Sequence, residues 1–172
     1  TTAVRTVCIA TRRALPTAEY HLLTLRAASP VASLGIWAST SVGPQGAVDG
    51  ARRLAKALRD RNDSTPVVVV LERADELTAD AGEEDVEDLV RVCIERDHFV
   101  VAEADAQFFS GSYGLPSRLR TSRTGIVLHP EGSEGNQAFR TDLPSLDRSQ
   151  LPAGRGFYVT KGTVELVQVA IP

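Results

Sequence analysis

The chain has 172 residues, of which 42% are hydrophobic and 24% are charged, as in a globular protein that forms one domain. Its formal net charge of -3 gives no general attraction for nucleic acid or anionic lipid, which argues against nucleic acid as a partner. Apolar runs such as Val67–Leu71 are far shorter than the ~20 residues that span a bilayer. Cys8 and Cys93 lack metal-site spacing, so we expect two buried thiols in a cytoplasmic domain.

The first third of the chain alternates between helical and extended patterns. Apolar residues at helical spacing predict a helix over residues 1–15. A buried strand is predicted at residues 20–25 and a weaker one at 35–41. A Gly/Pro loop at 42–46 then precedes a predicted helix over residues 47–61.

The middle of the chain contains the clearest strand. Val67–Leu71 is a run of five branched or aliphatic residues, typical of a strand that helices cover on both faces. An amphipathic helix is predicted over residues 82–96, a strand at Phe99–Ala102, and a short basic helix at 117–122. This order predicts an α/β layered fold with a mainly parallel sheet and Val67–Leu71 at its centre.

The last third of the chain indicates an antiparallel ending. One more short strand is predicted at residues 125–129, followed by a loop over 130–150. Residues 156–160 and 164–170 alternate around Lys161-Gly162, which predicts a C-terminal antiparallel hairpin that closes a single domain of residues 1–172.

The residue after the central strand is the first candidate for chemistry, because parallel sheets bind ligands beyond the carboxyl ends of their strands. Glu72 directly follows Val67–Leu71, and a hydrophobic strand that ends in an acid has the form of a Walker B segment, whose carboxylate holds Mg²⁺ beside nucleotide phosphates. Many buried strands also end in an acid because the chain returns to solvent. The pattern alone leaves both interpretations open.

Four further segments accompany this strand in order. They are residues 25–30 (LRAASP), 123–128 (RTGIVL), 151–156 (LPAGRG) and 164–170 (VELVQVA). Together with the strand they resemble the FtsK/SpoIIIE ATPase group, and they are most similar to the tandem ATPase domains of EccC proteins of type VII (ESX) secretion systems. The similarity spans nearly the whole chain, and it implies a RecA-like P-loop NTPase fold.

The resemblance also implies a nucleotide site, with ATP and Mg²⁺ as cofactors. In the alignment that we favour, Thr1 corresponds to the Mg²⁺-binding hydroxyl and Glu72 to the first acid of the Walker B segment. Thr2, Gly154 and Arg155 fall at positions that approach the nucleotide. Arg73 replaces the second acid, which in this group orients or deprotonates the attacking water.

The sequence departs from the family at the phosphate-binding loop. Lys56 and Lys161 are the only lysines, and neither belongs to a G-K-[ST] motif. Either the loop precedes Thr1 in a larger multidomain chain of which this is a fragment, which we favour, or the parent protein lacks it. A guanidinium cannot accept a proton as a carboxylate does, so Arg73 predicts weak or absent hydrolysis. Asp75 and Glu76 are interpreted as helix-start carboxylates rather than as substitutes for the missing acid.

These features favour a degenerate nucleotide-binding domain of an EccC-like secretion ATPase that acts in assembly, regulation or substrate docking. The resemblance implies as partners sister ATPase domains, other secretion-complex subunits and WXG100-type secreted proteins, with attachment to an inner-membrane complex through the parent protein. The alternative is an active motor domain, for protein secretion or FtsK-like DNA translocation, whose phosphate-binding loop is absent from this chain. A third possibility is an unrelated α/β binding domain.

Three arginines form a basic cluster near the predicted strand at residues 125–129. Arg118, Arg120 and Arg123 are expected either to contact the phosphate of a neighbouring domain or to solvate a helix. Trp37, the single tryptophan, is interpreted as a core residue.

Overall fold

A computed structural model describes residues 2–130, 133–146 and 151–170 of the chain. These residues belong to two compact units, Thr1–Ala104 and Asp105–Pro172. Within the described ranges no helix is both long and apolar enough to cross a membrane.

The first unit alternates helices with strands, as the sequence predicts. A 3-10 turn at Ala32–Leu34 lies between the first two strands. The helices and strands are α1 (Thr2–Ala14), β1 (Glu19–Thr24), β2 (Ser39–Val42), α2 (Gly43–Asp60), β3 (Val67–Leu71), α3 (Ala74–Ala81), α4 (Glu83–Glu95) and β4 (Phe99–Ala102).

The four strands of this unit form one parallel sheet in the order β2-β1-β3-β4. All five residues of β3 have 0% exposure, because strands pair with both of its edges and helices cover both of its faces. The predicted α/β fold with a mainly parallel sheet and a central Val67–Leu71 strand is therefore confirmed.

Helices cover the two faces of the sheet. On one face, Val4 and Cys8 of α1 form a core with residues of β1 and β3 that include Tyr20 and Val68. Trp37 packs against this core, donates from Nε1 to the Val31 carbonyl oxygen at 3.0 Å, and confirms its predicted core role. The opposite face carries α2 and α4, which also pack against each other.

The direction of α1 determines which end of the sheet it approaches first. Residues 15–18 connect α1 to β1 through a tight turn, in which the Ala18 N–H donates to the Leu15 carbonyl oxygen at 3.2 Å, and Val4 and Cys8 of α1 pack against β1 and β3. The last turn of α1 therefore lies at the amino end of β1, and α1 runs antiparallel to the strand. Its N-terminus points toward the carboxyl end of the sheet.

Two predicted boundaries in this unit are wrong. Residues 42–46 are not a loop, because α2 begins at Gly43 with Pro44 in its first turn, where a missing N–H costs no helical hydrogen bond. Strand β2 begins at Ser39 rather than at residue 35, because Gly35 has a φ of 64° at the end of the 3-10 turn.

The second unit contains a 3-10 helix at Ala106–Ser110, then α5 (Gly114–Arg120), β5 (Thr124–Leu128), α6 (Glu134–Phe139), β6 (Arg155–Thr160) and β7 (Thr163–Gln168). The strands form an antiparallel sheet in the order β5-β6-β7.

The predicted C-terminal hairpin is confirmed in this second sheet. Strands β6 and β7 are joined by Lys161 and Gly162, whose φ values of 48° and 94° suit a two-residue hairpin turn. The predicted loop over residues 130–150 is wrong in part, because α6 lies within it. Residues 131–132 and 147–150 of that prediction lie outside the described residues.

Candidate functional site

Glu72 lies at the carboxyl end of β3, where the sequence predicts an acid. Its backbone N–H donates to the Leu23 carbonyl oxygen at 3.1 Å, so it extends the ladder between β3 and β1 by one residue. Its side chain does not return to solvent, because Glu72 has 0% exposure. Burying a carboxylate costs free energy unless it is paired, so this acid differs from an ordinary residue at a strand end.

One oxygen of Glu72 is held by a threonine from the neighbouring strand. The Thr24 hydroxyl donates to Glu72 Oε2 at 2.6 Å, and Thr24 is itself fully buried at the end of β1. Thr24 Oγ1 in turn accepts from the Arg26 backbone N–H at 3.1 Å. This chain of hydrogen bonds fixes the orientation of the carboxylate.

The other oxygen, Glu72 Oε1, is buried and has no hydrogen-bond partner within the described residues. Most buried polar atoms in folded proteins are satisfied, and an unsatisfied one calls for a specific explanation. A carboxylate oxygen with free lone pairs can bind a cation or accept a hydrogen bond. Glu72 Oε1 is thus the best candidate ligand atom in the first unit.

Helix α1 packs on one face of the sheet, against the strand that ends beside Glu72. The pKa of the Cys8 thiol is raised to about 11, first by burial and second by the negative charge of Glu72. The thiol therefore stays protonated at neutral pH and adds no second negative charge. Cys8 packs in the same core cluster as Val68 and Val70 of β3, the strand that Glu72 follows.

Arg73 occupies the junction between β3 and α3 in a left-handed conformation, with φ 57° and ψ 63°. Its Nη2 lies 3.2 Å from Asp75 Oδ2 and 3.0 Å from Glu76 Oε1. Arg26 Nη2 also lies 3.4 Å from Glu76 Oε1. Both carboxylates belong to the first turn of α3, which confirms their interpretation as helix-start residues.

Backbone hydrogen bonds connect this junction to the end of β4. The Ala74 N–H donates to the Glu103 carbonyl oxygen at 2.6 Å, and the Glu103 N–H donates to the Leu71 carbonyl oxygen at 3.0 Å. The turn that carries Glu72 and Arg73 is therefore ordered by the neighbouring strand.

The side chains at this end of the sheet fit only part of a metal site. No group of three or more His, Cys, Asp or Glu side chains within the described ranges could hold a metal ion. Glu72 alone fits the single carboxylate that Mg²⁺ often takes from a protein when phosphate and water supply its other ligands. Thr1 lies outside the described residues, and Thr2 is exposed at the start of α1.

Gly154 and Arg155 belong to the second unit, where the Pro-x-Gly-Arg-Gly segment enters β6. Gly154 has a φ of 81°, and a Cβ at Gly156 would lie 2.0 Å from the Val127 carbonyl oxygen. Both glycines therefore have a structural explanation. The Arg155 N–H donates to the Pro152 carbonyl oxygen at 2.9 Å, and a nucleotide contact by Gly154 or Arg155 stays a prediction.

Two arginines of the predicted basic cluster bind the backbone of their own unit. Arg120 donates from Nη2 to the Gly111 carbonyl oxygen at 2.7 Å and from Nη1 to that of Gln137 at 3.4 Å. Arg123 donates to the carbonyl oxygens of Phe139 and Arg140 at 3.4 Å and 3.3 Å. These contacts support a structural role rather than a phosphate contact for both arginines.

Sequence reasoning missed Thr24, the residue that orients Glu72. A usable signal existed, since Thr24 lies near the end of the predicted strand 20–25 and parallel neighbours bring their carboxyl ends together.

No protein-family model, curated protein or solved structure matches this chain.

Proposed function

We propose that this chain is a degenerate nucleotide-binding module with a RecA-like fold of the FtsK/SpoIIIE type. In this proposal it belongs to an EccC-like secretion ATPase and acts in assembly, regulation or substrate docking, with weak or no ATP hydrolysis. The observation that carries the proposal is the buried Glu72 carboxylate at the carboxyl end of β3, which Thr24 orients and one oxygen of which has no hydrogen-bond partner among the described residues.

Two features support nucleotide binding at this end of the sheet. The Glu72 oxygen without a partner among the described residues would hold Mg²⁺, which would supply positive charge beside phosphate. The N-terminus of α1 points toward the same end, and the unpaired N–H groups of a helix N-terminus favour phosphate. When bound, Mg²⁺ would neutralise phosphate charge, and Glu72 would hold it directly or through water.

The ion pairs of Arg73 support weak hydrolysis. A general base must accept a proton from the attacking water, and the guanidinium of Arg73 has no lone pair for this purpose. Asp75 and Glu76 are the nearest carboxylates along the chain, and Arg73 holds both in ion pairs.

The partners and location in this proposal rest on the resemblance of the ordered sequence segments. Sister ATPase domains and other secretion-complex subunits would assemble with this module, and a WXG100-type secreted protein would dock on it. The parent protein would attach the module to a membrane complex.

A second candidate function is an active ATP-driven motor domain. One observation favours the motor: Asp75 Oδ1 is buried and has no hydrogen-bond partner within the described residues. That oxygen is available to accept a proton if the Arg73 side chain moves away. The two candidates differ in whether phosphate release depends on Glu72.

Binding and turnover of Mg·ATP separate these candidates, measured on this chain and on the longest natural polypeptide that contains it. Fluorescent ATP should bind, and Glu72→Gln should weaken Mg²⁺-dependent binding about tenfold, the effect of losing ~1.4 kcal/mol. Glu84→Gln, an exposed change in α4, is the matched control and should leave binding unchanged. Phosphate release should stay at background for all three proteins.

Two outcomes would contradict the proposal. Absence of saturable ATP binding to either polypeptide would exclude a nucleotide-binding module. Phosphate release that disappears with Glu72→Gln and persists with Glu84→Gln would establish the motor instead.

The docking part of the proposal has its own measurement. Calorimetric titration with the C-terminal tail of a co-encoded small helical secreted protein should show saturable heat. A tail of the same composition in scrambled order is the control. Equal heats from the two peptides, or no heat from either, would remove substrate docking from the proposal.

A further inference from the structure

A serine, a histidine and a glutamate lie together on the first two strands of the parallel sheet. Ser39, the first residue of β2, pairs in register with His21 of β1, so both side chains lie on the same face. His21 Nδ1 lies 2.8 Å from Ser39 Oγ. On the other side of the ring, His21 Nε2 lies 3.8 Å from Glu19 Oε2. A hydroxyl, an imidazole and a carboxylate therefore follow one another in the order of a catalytic triad.

The carboxylate of this group is held by a third element. Arg61, which follows α2, donates from Nη1 and Nη2 to the two oxygens of Glu19 at 2.9 Å and 2.8 Å. These hydrogen bonds lower the pKa of Glu19, so the side chain is ionised at neutral pH. A bidentate pair also fixes the orientation of a carboxylate. Glu19 thus provides a fixed negative charge beside the imidazole of His21.

This charge determines which nitrogen of His21 carries the proton. Burial is the first cause that lowers the pKa of His21 from its usual value, so the ring is neutral at neutral pH and has one N–H. An ionised carboxylate only accepts hydrogen bonds, so Glu19 favours the proton on Nε2. Nδ1 is then left to accept from the Ser39 hydroxyl, which is the state in which an imidazole serves as base for a serine.

Two observations go beyond what a structural role for His21 requires. His21 Nε2 is buried and has no hydrogen-bond partner within the described residues, because 3.8 Å to Glu19 is too long for one. Catalytic hydrogen bonds are often long without substrate and shorten during the reaction. Ser39 is exposed on the edge strand of the sheet, so a substrate can reach its hydroxyl.

We propose that Ser39, His21 and Glu19 form a second site, in which Ser39 is the nucleophile in the hydrolysis of short-chain carboxylic esters. Ser39 Oγ attacks the carbonyl carbon while its proton moves to His21 Nδ1, and Glu19 stabilises the imidazolium. The leaving alkoxide takes the proton from His21, and the acyl group stays on Ser39 as an ester. Water then attacks this ester and its proton passes to Nδ1. The carboxylic acid leaves as His21 returns the proton to Ser39 Oγ.

The setting of Ser39 determines the class of ester. Because its side chain is exposed, a short acyl group reaches the hydroxyl, whereas a long apolar chain would remain in water. The site is also separate from Glu72. Side chains alternate along β1, so His21 and Thr24, which orients Glu72, lie on opposite faces of the sheet. Ester hydrolysis therefore requires no nucleotide, and its failure would leave the nucleotide proposal unaffected.

Two probes test the nucleophile on the full chain. Para-nitrophenyl acetate, an activated short-chain ester, should release nitrophenol with saturation. A fluorophosphonate should modify the Ser39 hydroxyl, identified by mass spectrometry of the labelled peptide. Ser39→Ala should abolish this label and reduce nitrophenol release to the background rate of the ester. His21→Gln should slow both reactions about a hundredfold, because a positioned general base contributes at least that much.

The control is a hydroxyl on the same strand. Thr40 is exposed next to Ser39 but faces the other side of the sheet, because side chains alternate along β2. Thr40→Val should therefore retain the wild-type rate of ester hydrolysis and the label at Ser39. Glu19→Gln removes the charge that stabilises the imidazolium, so it should lower kcat about tenfold and leave KM unchanged, because Glu19 does not contact the ester.

Three outcomes would overturn the proposal. One is the absence of fluorophosphonate from Ser39 in the wild type. Another is ester hydrolysis that persists in Ser39→Ala, because other exposed nucleophiles would then carry the reaction. The third is a loss of hydrolysis in Thr40→Val equal to that in Ser39→Ala.

A thiol at the same position decides the role of His21 if circular dichroism shows that His21→Gln unfolds the protein. The thiol of Ser39→Cys should react with iodoacetamide about tenfold faster than that of Thr40→Cys, because the neighbouring imidazole takes the thiol proton. Cys8 and Cys93 are buried and should not react. Equal rates for the two variants would show that His21 does not act as a base for this position, which would also overturn the proposal.

Discussion

The middle strands of the two sheets, β3 and β6, are held in place in different ways. Every residue of β3 is fully buried between helices, so packing of its apolar side chains stabilises the strand. In contrast, β6 includes partly exposed residues and approaches β5 so closely at Gly156 that a Cβ would lie 2.0 Å from the Val127 carbonyl oxygen. The first unit therefore depends mainly on side-chain packing, and the second depends more on backbone geometry.

The largest expected effect comes from removing volume in the first sheet. Leu71→Ala should lower the free energy of unfolding by about 2–5 kcal/mol, because Leu71 has 0% exposure and its truncation leaves a cavity. Leu166→Ala in β7 is the matched control, and it should cost under about 1 kcal/mol because Leu166 is 52% exposed. Urea denaturation followed by circular dichroism measures both. Equal losses would show that burial of Leu71 does not determine its contribution to stability.

A smaller effect is expected from adding one methyl group in the second sheet. Gly156→Ala should cost about 1–3 kcal/mol, because the new Cβ meets backbone atoms of β5 that cannot rotate away. Gly46→Ala in α2 is the control: the nearest atom to its Cβ is 3.9 Å away, and alanine favours a helix by ~0.5–1 kcal/mol. The two substitutions should therefore change the urea midpoint in opposite directions. A neutral Gly156→Ala would show that backbone approach does not fix β6.

The predictions that succeeded depend on residues that are adjacent in the chain. The β3 strand and the position of Glu72 at its end were predicted correctly because five apolar residues and the acid after them are adjacent in the chain, whereas the role of Glu72 stays a prediction. The start of α2 was predicted wrongly, because Pro44 suits a loop and the first turn of a helix equally well.

Long-range contacts were beyond sequence reasoning for a different reason. The bond of Arg120 to Gln137 joins residues 17 positions apart, and that of Thr24 to Glu72 joins residues 48 positions apart. No local pattern links Arg120 to Gln137, and Thr24 could be placed beside Glu72 only by assuming that their two strands are parallel neighbours. The free oxygen of Glu72 likewise depends on packing by α1 and β1.

A third prediction compares two arginines that make different contacts. Arg120→Met should lower the free energy of unfolding by about 1–2 kcal/mol, because the partly buried guanidinium donates to the Gly111 carbonyl oxygen at 2.7 Å. Arg52→Met is the control, because Arg52 pairs with Asp85 at 2.9 Å on the surface, where water screens the pair. Its urea midpoint should not change measurably. An equal loss for Arg52→Met would show that surface ion pairs between α2 and α4 matter as much as contacts with backbone carbonyls.

The smallest expected effect concerns pH and a histidine in each unit. His21 has an 11% exposed side chain in β1, and its Nδ1 lies 2.8 Å from Ser39 Oγ. The pKa of His21 is lowered from its usual value, first by burial and also by the charge of Arg61, while Glu19 opposes this shift. His129, after β5, is exposed.

Burial in the first unit should therefore make its stability sensitive to acid. The unfolded chain protonates His21 near pH 6.5, whereas the folded chain protonates it only at lower pH. As pH falls through 6.5, the unfolded state binds more protons than the folded state, so stability is lost until the folded pKa is reached. The decrease in melting temperature between pH 7.5 and 5.5 should be smaller for His21→Asn than for wild type. His129→Asn is the control, because asparagine tolerates the φ of 48° at this position, and its decrease in melting temperature should match that of the wild type. An equal decrease for all three proteins would show that burial of His21 does not control the pH response.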